Sequence, residues 1–372
     1  MSKARLVVGS LAFVLVSLVP GVAHAIQVEA SAADNFFQPI SISVGLGDTV
    51  RWTATGSNGH TVTADDGSFD SNPGSGFLAN GQTFSVTFNG PPRTVRFHCK
   101  IHGGPGGLGM SGFVVVGRRT PPDFDANGMT DISLFRPSSG QWLIRDVGTA
   151  SFGMSGDIPV PGDYGGVGRS EFAVFRPSVG GWYRDGAAPV FFGLSGDIPV
   201  PGDYDGDGRT DIAIYRPSVG GWYRDGAAPV FFGLDGDIPV PADYDGDNKT
   251  DIAVFRPSVG GWYRNGAATT FFGLSGDIPV PGDYDGNGTS DIAIFRPPVG
   301  GWYRNGGPTT FFGLSGDVPV PGYYNGDGTT DLAVFRPNPG EWFIAGQPSI
   351  FYGLSDDIPL PLPAAIRRAF FP

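Results

Sequence analysis

The chain has 372 residues, with 61 glycines and 34 prolines, and it lacks Lys-, Glu- and Ala-dense stretches. That composition excludes a helical bundle and points to an all-β protein with many tight turns. Its formal charge of −12 repels phosphate backbones and argues against nucleic acid as a partner. Cys99 is the only cysteine, so no intramolecular disulfide forms, and a lone thiol in an oxidising compartment calls for burial or a metal.

Residues 1–25 are expected to be a signal peptide. Lys3 and Arg5 precede an apolar run from Leu6 to Val19, and Ala23-His24-Ala25 supplies a small-x-small cleavage pattern. A retained N-terminal anchor is the alternative. The run is short for a stable span, and no later segment is apolar enough to cross a bilayer. The mature chain is therefore expected to be secreted or periplasmic, without a transmembrane segment. Removing Lys3 and Arg5 takes its charge from −12 to −14.

From 26 to 117, short runs of period-two alternation separated by Gly, Asn and Pro predict a β-sandwich of about seven or eight strands. The runs are 36–42, 47–52, 60–63, 82–88, 94–99 and 111–116. The candidate chemistry sits at their ends. Cys99-Lys100-Ile101-His102 puts a thiolate at one strand's end and an imidazole in the following loop. Met110 closes that loop, and His60 opens its own strand after Gly56-Ser57-Asn58-Gly59. A thiolate, two imidazoles and a thioether suit a blue-copper centre, because soft sulfur favours Cu(I) while imidazole supports Cu(II). Zinc also takes Cys and His but does not favour a thioether as fourth donor. Singly, each residue has a plainer reading, Cys99 as a buried thiol and the histidines as surface side chains. His98, beside Cys99 on a strand, is expected to point to the opposite face and lie at the surface.

Four stretches resemble the plastocyanin, pseudoazurin and amicyanin group of cupredoxins. They are 47–52, His60-Thr61-Val62-Thr63, Phe97-His98-Cys99-Lys100-Ile101-His102 and Gly109-Met110-Ser111-Gly112. The resemblance implies His60, Cys99 and His102 as equatorial copper ligands, with Met110 as the axial one. One departure matters. Plastocyanin-like loops place four residues between the second His and the Met, whereas here seven intervene, Gly103 to Gly109. Five of the seven are Gly, and a flexible bulge is expected to bring Met110 to the metal.

After a join at 118–122, the sequence repeats every 40 residues without insertion. Asp123, Asp163, Asp203, Asp243, Asp283 and Tyr323 mark the period, and Trp142 to Trp342 mark it again. A fixed period of this kind means an array of like supersecondary units. A full unit carries a loop with oxygen donors at positions 1, 3, 5 and 9 and a glycine at 6, which Asn248 replaces in the Asp243 loop, and this suits a hard cation such as calcium. An EF-hand is excluded, since Ile214 stands where a bidentate Glu is needed and strands flank the loop. The best loop is Asp203, Asp205, Asp207 and Asp211, followed by Asp243, Asp245, Asp247 and Asp251. Asp283, Asp285, Asn287 and Asp291 are also competent, as are Asp123, Asp125, Asn127 and Asp131. The loop at Asp163 has lost two donors to Gly165 and Val167, and the one at Tyr323 is degraded, so about three to five calcium ions are expected. The alternative is a set of Asx turns that need no ion.

These units resemble the FG-GAP or VCBS-type repeats of integrin-like β-propellers. Each offers about four short strands, one propeller blade. The first repeat lacks its inner strand, and Ile358-Pro359-Leu360-Pro361 at the chain end supplies a spare. The expectation is a six-bladed β-propeller over 123–363, closed by that strand and followed by a tail at 364–372; a linear β-solenoid is the alternative. The recurring Trp and Phe-Phe positions are read as inter-blade packing rather than sugar platforms.

Together these readings give an exported one-electron carrier or copper-binding protein, tethered to a calcium-stiffened propeller that docks a partner or surface. Its redox partner is unspecified, and a cell-surface or glycan ligand suits the propeller. The alternative is an adhesion protein whose copper domain serves sequestration or structure. An enzyme is disfavoured. A multicopper oxidase or nitrite reductase needs further His-rich centres, and beyond His60 and His102 only His98 remains in the mature chain.

Overall fold

A computed structural model of the chain describes residues 27–372 apart from 45–47, 75, 89–92, 117–121, 326, 362, 364–365, 368–369 and 371–372. The expected signal segment, Gly47 and all of the 118–122 join except Pro122 lie outside the described residues.

Among its described residues the N-terminal part has eight strands: β1 Gln27–Ala33, β2 Phe36–Gln38, β3 Ser41–Val44, β4 Thr49–Ala54, β5 Thr63–Ala64, β6 Thr83–Thr87, β7 Arg93–Gly104 and β8 Leu108–Val116. They form two four-stranded sheets, ordered β2-β1-β4-β6 and β3-β8-β7-β5. The inward residues of both sheets share one apolar cluster, as a sandwich requires. In β4 the alternation is strict, with Val50, Trp52 and Ala54 buried between partly exposed Thr49, Arg51 and Thr53. Trp52 meets Phe97 of the facing sheet edge-on, at 5.3 Å between ring centroids. The run 36–42 is not one strand. Pro39, which has no N–H to donate to a ladder, separates β2 in one sheet from β3 in the other.

The repeats form six four-stranded sheets. One of them runs Ile198–Pro199, Ala213–Arg216, Gly221–Arg224 and Val230–Phe231, antiparallel throughout. The sheet of the first repeat has only three strands of its own. Ile358–Leu360, from the chain end, pairs with Ser133–Arg136 and completes it. A second set of contacts closes the same circle. The N–H of the eighth loop residue donates to the first loop residue's carbonyl in the repeat before, as Thr210 does to Asp163 (2.8 Å) and Thr250 to Asp203 (2.6 Å). In the first repeat, Thr130 N–H donates to the carbonyl of Tyr323 in the sixth (2.9 Å). The array is therefore a ring of six blades, and the linear solenoid is excluded.

Packing within the ring follows from the repeated residues. Trp142, Trp182, Trp222, Trp262, Trp302 and Trp342 are at most 1% exposed. Each indole N–H donates to a backbone carbonyl ten residues on, as Trp182 does to Phe192 (2.9 Å). The sequence reading did not single out the buried Asp of each turn. Asp197 accepts from Arg216 Nε (2.8 Å) and from the terminal nitrogen Nη2 (2.8 Å), and the same fork recurs in every blade. At the closure it joins Arg136 to Asp357. The Phe-Phe reading is half met. Phe192, Phe232, Phe272 and Phe312 pack against the core clusters, but the preceding residues, Phe191, Phe231, Phe271 and Phe311, stand 66–68% exposed. In the tail, Ile366 is fully buried in the ring's largest apolar cluster.

Candidate metal centres

Cys99 and His60 are both fully buried, and His102 is half-buried. Cys99 Sγ lies 3.5 Å from His102 Nδ1 and 4.0 Å from His60 Nδ1, and the two imidazole centroids are 5.0 Å apart. The ligand atoms of Cys99 and His102, and of His60, 39 residues before Cys99, thus lie within 4.8 Å of one another. The backbone N–H of Thr61 donates to the Cys99 sulfur at 3.4 Å. Thr61 Oγ1 in turn accepts from Lys100 N–H (2.8 Å), locking the residues that follow His60 and Cys99 to each other.

The expected strand at 60–63 is shorter than its pattern suggests. His60 stands in a single bridge to Leu78, and only Thr63–Ala64 joins the sheet. The loop before His60 is folded around a carboxylate instead. Asp34 accepts from Ser57 N–H (3.1 Å), Asn58 N–H (3.0 Å) and the Ser57 hydroxyl (3.2 Å). These amides hold the Asp34 carboxyl below the usual range. Asp34 Oδ1 is 3.8 Å from His60 Nε2, a buried nitrogen with no hydrogen-bond partner. Burial, with His102 alongside, pushes the His60 pKa down, which favours the neutral imidazole that a metal takes.

The glycine-rich segment is not a loose bulge. β7 and β8 pair as a hairpin, with Gly103 opposite Gly109 and Gly104 opposite Leu108. Farther down, His98 is opposite Ser111. Between these two pairings four residues, Cys99 to His102, face the single residue Met110. The register break therefore sets Met110 opposite Cys99 and His102, and Met110 is 2% exposed in the same apolar cluster as Cys99. The additional residues go into the hairpin tip. Gly103 is required there, since a Cβ would stand 2.5 Å from the Met110 carbonyl oxygen.

Asp65, which the sequence reading passed over, fastens that tip. Its Oδ2 accepts from Gly106 N–H (2.7 Å), and its Oδ1 meets His98 Nδ1 at 2.7 Å. His98 is consequently 8% exposed rather than a surface residue, which corrects the expectation for it. The half-buried His102 is near the exposed apolar side chains Ile101 and Leu108 in sequence, and Phe77 abuts Gly59, next to His60.

Among the described residues of the ring, carboxylate oxygens gather in four loops: Asp123, Asp125 and Asp131; Asp203, Asp205 and Asp211; Asp243, Asp245 and Asp251; Asp283, Asp285 and Asp291. The loops at Asp163 and Tyr323 are not among these groups. Of the fifth-position residues, the carboxylates Asp207 and Asp247 stand outside the groups of three. Asp207, Asp247, Asn127 and Asn287 each use one oxygen to accept from the amide two residues on, as an Asx turn does. Burial, then neighbouring carboxylates, raises Asp123 to about 7, while Asp131 and Asp203 rise to about 6, chiefly through burial. Such crowding of partly buried acids is relieved by a cation.

Residues 24–117 match the family model of copper-binding proteins, plastocyanin/azurin family. Among solved structures, the chain is similar to a purple cupredoxin from Nitrosopumilus maritimus, at 26% identity over 22% of this chain and 81% of that one, with a TM-score of 0.18. It is similar to an oxidized mutant of amicyanin at 26% identity over 25% and 81%, with a TM-score of 0.20. A mutant plastocyanin of fern aligns at 19% identity over 24% and 99%, with a TM-score of 0.21. No curated protein sequence matches the chain. The N-terminal part is a cupredoxin domain, and the family match ends where the repeat array begins.

Proposed function

We propose that the chain is an exported one-electron carrier with a type 1 copper centre at His60, Cys99, His102 and Met110, borne on a calcium-binding FG-GAP/VCBS-like propeller that docks a partner or surface. The observation that carries this reading is the Cys99 sulfur, buried between two Nδ1 atoms and capped by the Thr61 amide. The donors fit the metal: one thiolate and two imidazoles, with a buried thioether set opposite by the hairpin register. Copper, when bound, supplies the one-electron couple.

The chain's own part is to hold these groups still. Asp34 faces the outer nitrogen of His60, leaving Nδ1 for the metal. Asp65 holds the hairpin tip that fixes Met110. Ile101, which precedes His102, Leu108 opposite Gly104, and Phe77 against Gly59 are 53–69% exposed and offer a redox partner apolar contacts. Four clusters of carboxylates support calcium in the repeats, and cations there stiffen the ring. The test is the visible spectrum of the copper-loaded chain beside Cys99→Ser, which loses its intense charge-transfer colour under this reading. A colourless copper protein that binds cells or glycans only with calcium present supports the adhesion alternative instead.

A further inference from the structure

Each blade is an antiparallel meander, so its connections alternate between the two ends of the strands. The Asp loop, joining the inner strand to the second, lies at one face of the ring. The turns 217–220 and 233–237 lie at the other, where Phe232 N–H donates to the Gly220 carbonyl (2.7 Å). A Cβ on Gly220 would stand 2.2 Å from the Gly233 carbonyl oxygen, so the two turns touch.

That second face is apolar. Val219 is 52% exposed, Phe231 66% and Leu234 58%. Phe recurs there from Phe191 to Phe351, Leu from Leu194 to Leu354 and Val from Val179 to Val299, each at every fortieth residue and all at least 50% exposed. Charge on this face is largely cancelled by the Arg216–Asp197 pair and its counterparts in the other blades. Outside those pairs, its turns and strand ends carry three acids, Asp235, Glu341 and Asp356. The chain joins and leaves the ring at the opposite, acidic face: Asp123 opens the first Asp loop, and Leu360 is level with Ser133 beside it.

We propose that the apolar face docks on the same face of a second copy of this chain, in a two-fold dimer. Area favours it. At about 200 Å² for a phenylalanine, five that are 66–70% exposed present roughly 680 Å². The leucines and valines carry the face past the roughly 800 Å² per partner of a stable interface. Charge favours it as well, because stacking on apolar faces turns both sets of Asp loops outward and keeps like charges apart. The interface is isologous, so one substitution acts on both sides of it.

The experiment is sedimentation velocity on the full mature chain across a concentration series. A reversible dimer is expected. Leu234→Lys with Leu274→Lys should weaken it at least tenfold without altering the far-UV circular dichroism, whereas Asp225→Lys on the acidic face should leave it intact. If the double variant loses its native spectrum, Phe231→Ser is the gentler substitution and should weaken the dimer in the same direction. A monomeric wild-type chain overturns the proposal, whether or not it floats with phosphatidylcholine vesicles, and flotation would assign the face to lipid. A dimer that survives these substitutions with a native spectrum overturns it equally. Copper plays no part in this readout, so its outcome is independent of the electron-transfer reading.

Discussion

Removing residues 358–372 tests ring closure where it is made. The deletion takes away the strand that pairs with Ser133–Arg136, together with Leu360 and Ile366, both 0% exposed. Burying a side chain of this size contributes about 1.5–3 kcal/mol, so the two account for roughly 3–6 kcal/mol as an upper range. The lost ladder hydrogen bonds add about 1 kcal/mol each. Since a domain's whole stability is about 5–15 kcal/mol, the truncated ring should unfold at a much lower urea concentration, followed by tryptophan fluorescence. The signature of a ring is where the damage appears. Amides of 133–136, more than 220 residues away in sequence, should lose protection from hydrogen exchange. A synthetic peptide of residues 356–372 should restore both properties as its concentration rises. Unchanged exchange at 133–136 with an unchanged urea midpoint would refute the closure.

Other expectations follow from the sites. Asp65→Ala frees Gly106 and leaves the buried His98 without its partner, at a cost of about 1–3 kcal/mol; it should also shift the copper reduction potential, and a potential equal to wild type counts against Asp65 as a positioning residue. Without calcium, the raised carboxyl pKa values of Asp123, Asp131 and Asp203 mean that the folded state favours their protonated forms. Their stabilising contribution is complete below the ordinary carboxylate range and is lost as pH rises through about 6 to 7. The melting temperature in chelator should therefore fall from pH 5 to pH 8, and calcium should raise it more at pH 8; a flat profile in chelator contradicts this. Asp237→Asn weakens a fork whose carboxylate is 1% exposed. Because Arg256 is 23% exposed, the loss should lie at or below about 3 kcal/mol, the lower end for a buried pair, measured by urea unfolding.

The gathering of Cys99, His102 and His60 was legible because a soft-metal donor set uses rare residue types at short spacings. Cys99 and His102 announce themselves within four residues, and His60 is one of very few histidines. The groups that support them were not legible. Asp65 and Asp34 look like any turn aspartate, and their roles depend on contacts made across 41 and 24 residues. The glycine-rich loop could not be read as a hairpin, since glycine has no side-chain pattern to set a register. Ring closure was legible from a missing strand and a spare one. The Arg–Asp forks had a signal, an Asp and an Arg recurring at the 40-residue period, that was passed over in favour of the more conspicuous loop aspartates. The outward turn of Phe191 and its equivalents could not be told from the packing of Phe192, because the pair reads as one apolar run.

The copper centre would show itself in the visible absorption and EPR spectrum of residues 26–372 loaded with one equivalent of Cu(II). An intense thiolate-to-copper band and the narrow copper hyperfine splitting of a type 1 site are expected, both abolished in Cys99→Ser. A weak, tetragonal copper spectrum in the wild-type chain, or a colour that survives Cys99→Ser, would contradict it.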